Sequence, residues 1–187
     1  MNYNAEEQYQ SMHRALDRVR ALATDIGKTA VIGDHAAADA TKAFFTECYH
    51  FKDYLKKDLR IALPTEVETF VTASRALSMA ADLCNSFKHA GLDKPPRSGM
   101  QLDQINMAYS LILSATDEPG MISMIRNPSD GDTITIGRSN LIGPPVATAK
   151  VVLTIGGSKH DAVAVATQCL ADWDSFLASK GILFPKS

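Results

Sequence analysis

The sequence predicts an α+β fold: an N-terminal three-helix segment completed by a C-terminal helix (a four-helix arrangement), with a small antiparallel sheet inserted before the last helix. Three observations predict it. Apolar residues recur at spacings of three and four through the first ninety positions, as one face of a helix requires. The period then shortens towards two, with β-branched runs between Gly- and Pro-rich turns. Finally, residues 158–181 return to a helical stripe. At 187 residues, the chain reads as a single domain, 1–187, with a helical half over 1–92, a sheet over 100–157 and a last helix over 158–181.

From Ala5 to about Lys28, the residues Tyr9, Met12, Leu16, Val19, Ala23 and Ile26 form an apolar stripe, and Gly27 ends it. After a break at Gly33, Asp34 caps a second helix, carrying Thr41, Phe44, Phe45, Cys48, Phe51, Tyr54, Leu55 and Leu59 inward. Leu63-Pro64 stops that run, because a residue before proline avoids helical geometry. Thr65 then caps a third helix, with Glu68 as its capping-box partner. Its buried side is Phe70, Val71, Leu77, Ala80, Ala81, Cys84 and Phe87, and Gly91 with Leu92 closes it in a Schellman-type turn. The polar linker DKPPRSG leads to the segments QINMAYSLIL, GMISMIR, DTITIG and AKVVLTIG, read as strands, the first with a helix as its alternative. The last helix takes Ser158 as cap, Asp161 at its third position, a stripe of Val163, Ala166, Leu170, Trp173 and Leu177, and Gly181 past its end.

Composition narrows the function classes. Hydrophobic residues make up 45% and charged residues 21%, too apolar for a disordered chain. A formal net charge of −2 argues against a whole-surface footprint for nucleic acid but permits a local patch. Cys48, Cys84 and Cys169 are far apart, lack a CxxC spacing and sit among apolar neighbours, as reduced thiols of a cytoplasmic protein do. The N-terminus reads as no signal peptide, and no apolar run has membrane-spanning length, so a membrane is not among the expected partners. GxxxxGK[ST], GxGxxG after a strand, GxSxG and HExxH are absent, and no cofactor is expected. GGSKH leads into a helix start whose N–H groups can hold an anion, although a turn and cap explain it more simply.

Two polar clusters are candidate sites. On the second helix, Glu47, His50 and Asp53 share a face, and a histidine beside a carboxylate can act as general acid or base. Structural pairing of Glu47 or Asp53 with Arg75 is the cheaper account. At the end of the third helix, Asn85, Lys88 and His89 share a face. Lys88 and His89 suit the negative end of the macrodipole without any further role, whereas Asn85 has no such explanation. If the helices form a short hairpin, His35, Asp39, Asp82 and His89 approach one another and can bind a divalent metal. His50 and His89 are then separated by about 20 Å along the hairpin, so only a partner chain can bring them together.

The stretches CYHFKDYLKKD and ADLCNSFKHAGL resemble uncharacterised bacterial proteins related to the HEPN superfamily, over roughly the first ninety residues. The resemblance implies a helical bundle, commonly dimeric, met in toxin–antitoxin and phage-defence systems and directed at RNA or nucleotides. HEPN ribonucleases carry an arginine four to six residues before a histidine. Here no arginine stands at that spacing before His89 or any other histidine, which leaves catalysis in question. Asn85, Lys88 and His89 correspond only to the polar patch those enzymes use. Catalytic candidates are therefore Asn85, Lys88, His89, His50 and Asp53. The alternative is a non-catalytic homo-oligomeric interaction module. The aromatics Phe44, Phe45, Phe51 and Tyr54 point to opposite sides of one helix, which makes that helix either central in the bundle or shared with a partner in a homodimer.

Overall fold

The computed structural model describes residues 4–24, 34–89, 95–99, 102–112 and 146–185. Their order is α1 (Ala5–Thr24), α2 (Asp34–Leu55), α3 (Pro64–Ala73), α4 (Arg75–His89), β1 (Leu102–Ile112), β2 (Val146–Ile155), β3 (Ser158–Asp161) and α5 (Ala162–Ser179). This is an α+β fold, with the sheet before the last helix. The helix ends expected at Gly27 and at Gly91-Leu92, the break at Gly33, and the strands GMISMIR and DTITIG lie outside the described residues.

Helix α1 starts where the Asn4 side chain accepts from the N–H groups of Glu6 and Glu7 at 3.1 and 3.2 Å, two donors that have no partner within the helix. Tyr9, Met12, Leu16 and Val19 are buried as their spacing predicts. Helix α2 is the centre of the bundle. It packs against α1, α3, α4, α5 and the sheet, and Phe44, Phe45, Cys48, Phe51 and Leu55 are all fully buried. Of the two accounts of its opposite-facing aromatics, burial within one chain is therefore sufficient. The helix ends at Leu55, short of the expected Leu59, which is fully exposed in the following turn.

The expected third helix is two. It breaks at Ser74, which is extended (φ −81°, ψ 123°). Ser74 Oγ accepts from Leu77 N at 3.0 Å and so caps α4, while its hydroxyl donates to Asp172 of α5. The buried Ser78 hydroxyl donates to the carbonyls of Val71 and Thr72, which the break leaves without their helical partners. The Thr65 capping box does not form either. Pro64 occupies the first turn, Leu63 is the cap residue without a side-chain bond, and Glu68 is engaged elsewhere.

Strands β1, β2 and β3 form an antiparallel sheet in that order. The β1–β2 register runs from Leu102 opposite Ile155 to Ile112 opposite Val146, with an irregularity between Leu102 and Gln104. Gly156 and Gly157 (φ 55° and 75°) make the two-residue turn into β3, both in the left-handed region that such a turn demands. Val151, Leu153 and Ile155 alternate inward, and β2 packs against α1 and α5. The cap of α5 is Asp161 rather than Ser158, because Ser158–Asp161 is itself a strand. The Asp161 carboxylate accepts from Val163 N and Ala164 N at 2.9 and 3.2 Å. At the far end, Gly181 (φ 67°) closes a Schellman motif, with Gly181 N bonded to Ala178 O and Ile182 N to Leu177 O.

Candidate functional site

The polar residues meet where the last turns of α2, the middle of α3, the inner side of α4 and the 95–99 turn come together. Lys52 lies in the last turn of α2 and Lys56 is the first residue past its end, with Lys56 N bonded to Lys52 O at 3.0 Å, so the two side chains keep the i, i+4 relation that places them on one side. Lys52 is buried and its Nζ lies 4.3 Å from the centre of the Tyr49 ring. It donates to Glu68 Oε1 at 2.9 Å, and Lys56 donates to the same oxygen. Arg97 donates to Glu68 Oε2 at 3.0 Å. Asp53 adds a second carboxylate, 3.6 Å from Lys56 and 3.9 Å from Lys52.

These contacts set the charge states. Burial alone pushes the Glu68 carboxyl up, but hydrogen bonds from Lys56, Lys52 and Arg97 overcome it and hold the group at about 2. Burial likewise pulls the Lys52 ammonium down, and its contacts with Glu68 and Tyr49 reverse this, leaving it above its ordinary value. Glu68 is thus a fixed anion at neutral pH rather than a proton donor.

Asp82, buried on α4, holds the 95–99 turn. Its two oxygens accept from Arg97 N and Ser98 N, each at 2.7 Å. Gly99 N bonds Pro96 O at 3.1 Å and Gly99 has φ 73°, which closes the turn. Between α3 and this turn lies an open depression of about 650 Å³, lined by Glu68, Thr69, Thr72, Ala73 and Arg97. Glu68 and Arg97 are the charged residues of that lining, and Lys52 and Lys56 stand behind Glu68, bonded to its Oε1.

The residues expected to act have other partners, or belong to different places. Glu47 accepts from Gln8 Nε2 of α1, at 2.5 Å on Oε2 and 3.1 Å on its backbone carbonyl. Arg75 is exposed at the start of α4, and the pairing expected between it and Glu47 or Asp53 is replaced by Gln8 for the one and by Lys52 and Lys56 for the other. His50 is half-buried with its ring 6.4 Å from that of Tyr49. Asn85 is half-buried one turn beyond Asp82. The side chains of Lys88, His89 and His35 lie outside the described residues. Of the metal candidates, Asp39 is exposed and sits 3.9 Å from Lys42, while Asp82 is committed to backbone N–H groups. Among the described residues, no three His, Cys, Asp or Glu side chains gather as a metal site. Cys48, Cys84 and Cys169 are buried free thiols, and burial together with the Cys48 thiol raises Cys169 well above the usual range.

Lys52, Lys56, Glu68 and Arg97 were not among the expected site residues. The i, i+4 lysine pair was the available signal, and the Lys56-Lys57 doublet reads from sequence as a solvated face. No protein-family model matches the chain, and neither a curated protein nor a solved structure matches it. No helix among the described residues is long and apolar enough to cross a membrane.

Proposed function

We propose that the protein binds a phosphate group of RNA or of a nucleotide on the face between α3 and the 95–99 turn. The observation that carries this reading is the convergence of Lys52, Lys56 and Arg97 on one carboxylate at the edge of an open depression. Arg97 and Lys56 retain donors beyond those given to Glu68, and a guanidinium fork matches a phosphate well. The Thr72 side chain lines the same depression and is exposed. The HEPN-like character of CYHFKDYLKKD and ADLCNSFKHAGL supports an RNA-directed role in a toxin or defence setting. The missing arginine before His89 favours binding over cleavage. The test is titration of the protein with a 5′-phosphorylated oligoribonucleotide and with AMP, followed by fluorescence anisotropy and calorimetry. Saturable binding weakened at least fivefold by Arg97→Ala is expected, and no saturable binding of either probe overturns the reading. Incubation with total RNA, with and without divalent metal and beside His89→Ala, separates a binder from a nuclease.

A second reading, a homo-oligomeric interaction module, has its own observation. Leu59, Leu63 and Leu183 are exposed, and two contacts gather their segments at one end of the bundle. Arg60 sits 4.9 Å over the Phe184 ring, and Lys180 donates to Glu66 at 2.8 Å. Arg60 and Lys180 face Asp58 and Glu66 around these leucines, a balanced rim that a second copy can complement through a two-fold contact. Light scattering at micromolar concentration tests it. A dimer mass reduced to 20.2 kDa by Leu59→Ser supports the module, and a monomer in the unsubstituted protein removes it.

A further inference from the structure

We propose that Asp82 is a positioning residue for Arg97, holding its guanidinium at the anion face from behind through the backbone. This rests on the phosphate reading above and assigns a part of the site that touches no ligand. A buried carboxylate is costly unless its oxygens are satisfied. Asp82 is 4% exposed, and each of its oxygens takes one N–H of the turn, that of Arg97 and that of Ser98, at 2.7 Å. Pro95 and Pro96 fix two backbone angles just before them, and Gly99 closes the turn on Pro96. The Arg97 backbone is therefore fastened to α4, while only its side chain reaches α3, where it meets Glu68 at 3.0 Å. The two attachments are separate. An incoming anion competes with Glu68 for the guanidinium, and losing that ion pair leaves the turn in place.

The two carboxylates consequently have opposite effects on binding. Glu68 is the internal competitor of the ligand, and Asp82 is the support of the ligand's donor. Net charge alone makes no such distinction, because Glu68→Gln and Asp82→Asn each remove one negative charge and electrostatics raises anion affinity in both. Positioning predicts opposite signs. Titrated with inorganic phosphate and with AMP, Glu68→Gln is expected to bind severalfold more tightly and Asp82→Asn at least fivefold more weakly than the unsubstituted protein. Amide exchange gives an independent readout: the N–H groups of Arg97 and Ser98 are protected in the unsubstituted protein, and at least one loses that protection in Asp82→Asn. Binding retained or tightened in Asp82→Asn overturns the proposal while leaving the phosphate reading intact. Protected amides in an unsubstituted protein that binds neither probe overturn the phosphate reading and the assignment with it. If Asp82→Asn does not fold, exchange in the unsubstituted protein still decides, since free-peptide rates at Arg97 and Ser98 overturn the clasp.

Discussion

The aromatic core and the charged face are built from overlapping helices by different means. In the core, Trp173 meets Phe51, Phe70 and Phe176 with ring centres 5.2 to 6.0 Å apart, and Tyr9 and Phe184 extend the cluster to α1 and the C-terminal tail. In the charged face, each carboxylate oxygen of Glu68 and Asp82 has a named donor at hydrogen-bond distance. Burial is non-directional and summed over many contacts, so the core tolerates an imperfect atom. The Trp173 indole N–H has no acceptor among the described residues, although the side chain is almost fully buried. The charged face has no such margin, because a buried oxygen deprived of its donor carries the whole desolvation cost.

The largest expected effect tests the core side of that contrast. Trp173→Ala should cost about 3–5 kcal/mol in urea denaturation, the range for emptying a large aromatic site. Trp173→Phe should cost far less, since the ring contacts largely survive and the lost N–H had no acceptor. A Phe variant as unstable as the Ala variant would show that the indole N–H carries a bond essential to the core.

The same contrast explains what could be read from the sequence. Non-directional burial leaves a periodic trace, so the stripes Tyr9-Met12-Leu16-Val19 and Ala166-Leu170-Trp173-Leu177 were legible as helix faces. Directional contacts leave none. The Ser74 break is invisible in the apolar pattern, because Phe70, Val71 and Leu77 all remain on buried sides while Ser74 and Ser78 rearrange the hydrogen bonds. Glu68 and Arg97 are 29 residues apart across a linker that reads only as polar, so no local spacing announces their pairing. Strand β3 is four polar or charged residues, and its pairing with β2 through Gly156-Gly157 outweighs the weak strand tendency of its composition. The turn was legible there, but the cap lies three residues further on.

That displaced cap gives the next, smaller effect. Asp161→Ala should cost about 1 kcal/mol, since it leaves the N–H groups of Val163 and Ala164 without their acceptor. Ser158→Ala should change stability by less than about 0.5 kcal/mol, as expected for an exposed residue with no capping role. Thermal unfolding followed by circular dichroism separates them, and equal losses would return the cap to Ser158.

The smallest effect probes the charged face through acid. The Glu68 carboxyl is held at about 2, below the ordinary 4.5, by its three cationic donors acting against burial. A group whose value is depressed on folding stabilises the native state above its unfolded value, and that contribution is lost as pH falls towards the folded one. The contribution of Glu68 is therefore complete above about 4.5 and disappears between about 4.5 and about 2. A third of the side chain is exposed, so solvent and salt screen the interaction and keep it small. Other carboxylates titrate in the same window; Asp58, for one, is lowered by its hydrogen bond from Arg60. The informative quantity is therefore the difference in urea midpoint between the unsubstituted protein and Glu68→Gln, measured at each pH. That difference should be constant from pH 7 to 5, shrink through pH 4 and 3, and fall further when salt is raised. A difference that stays unchanged down to pH 2 would mean that Glu68 acts through its shape and neutral hydrogen bonds, which would remove the fixed anion against which the proposed ligand competes.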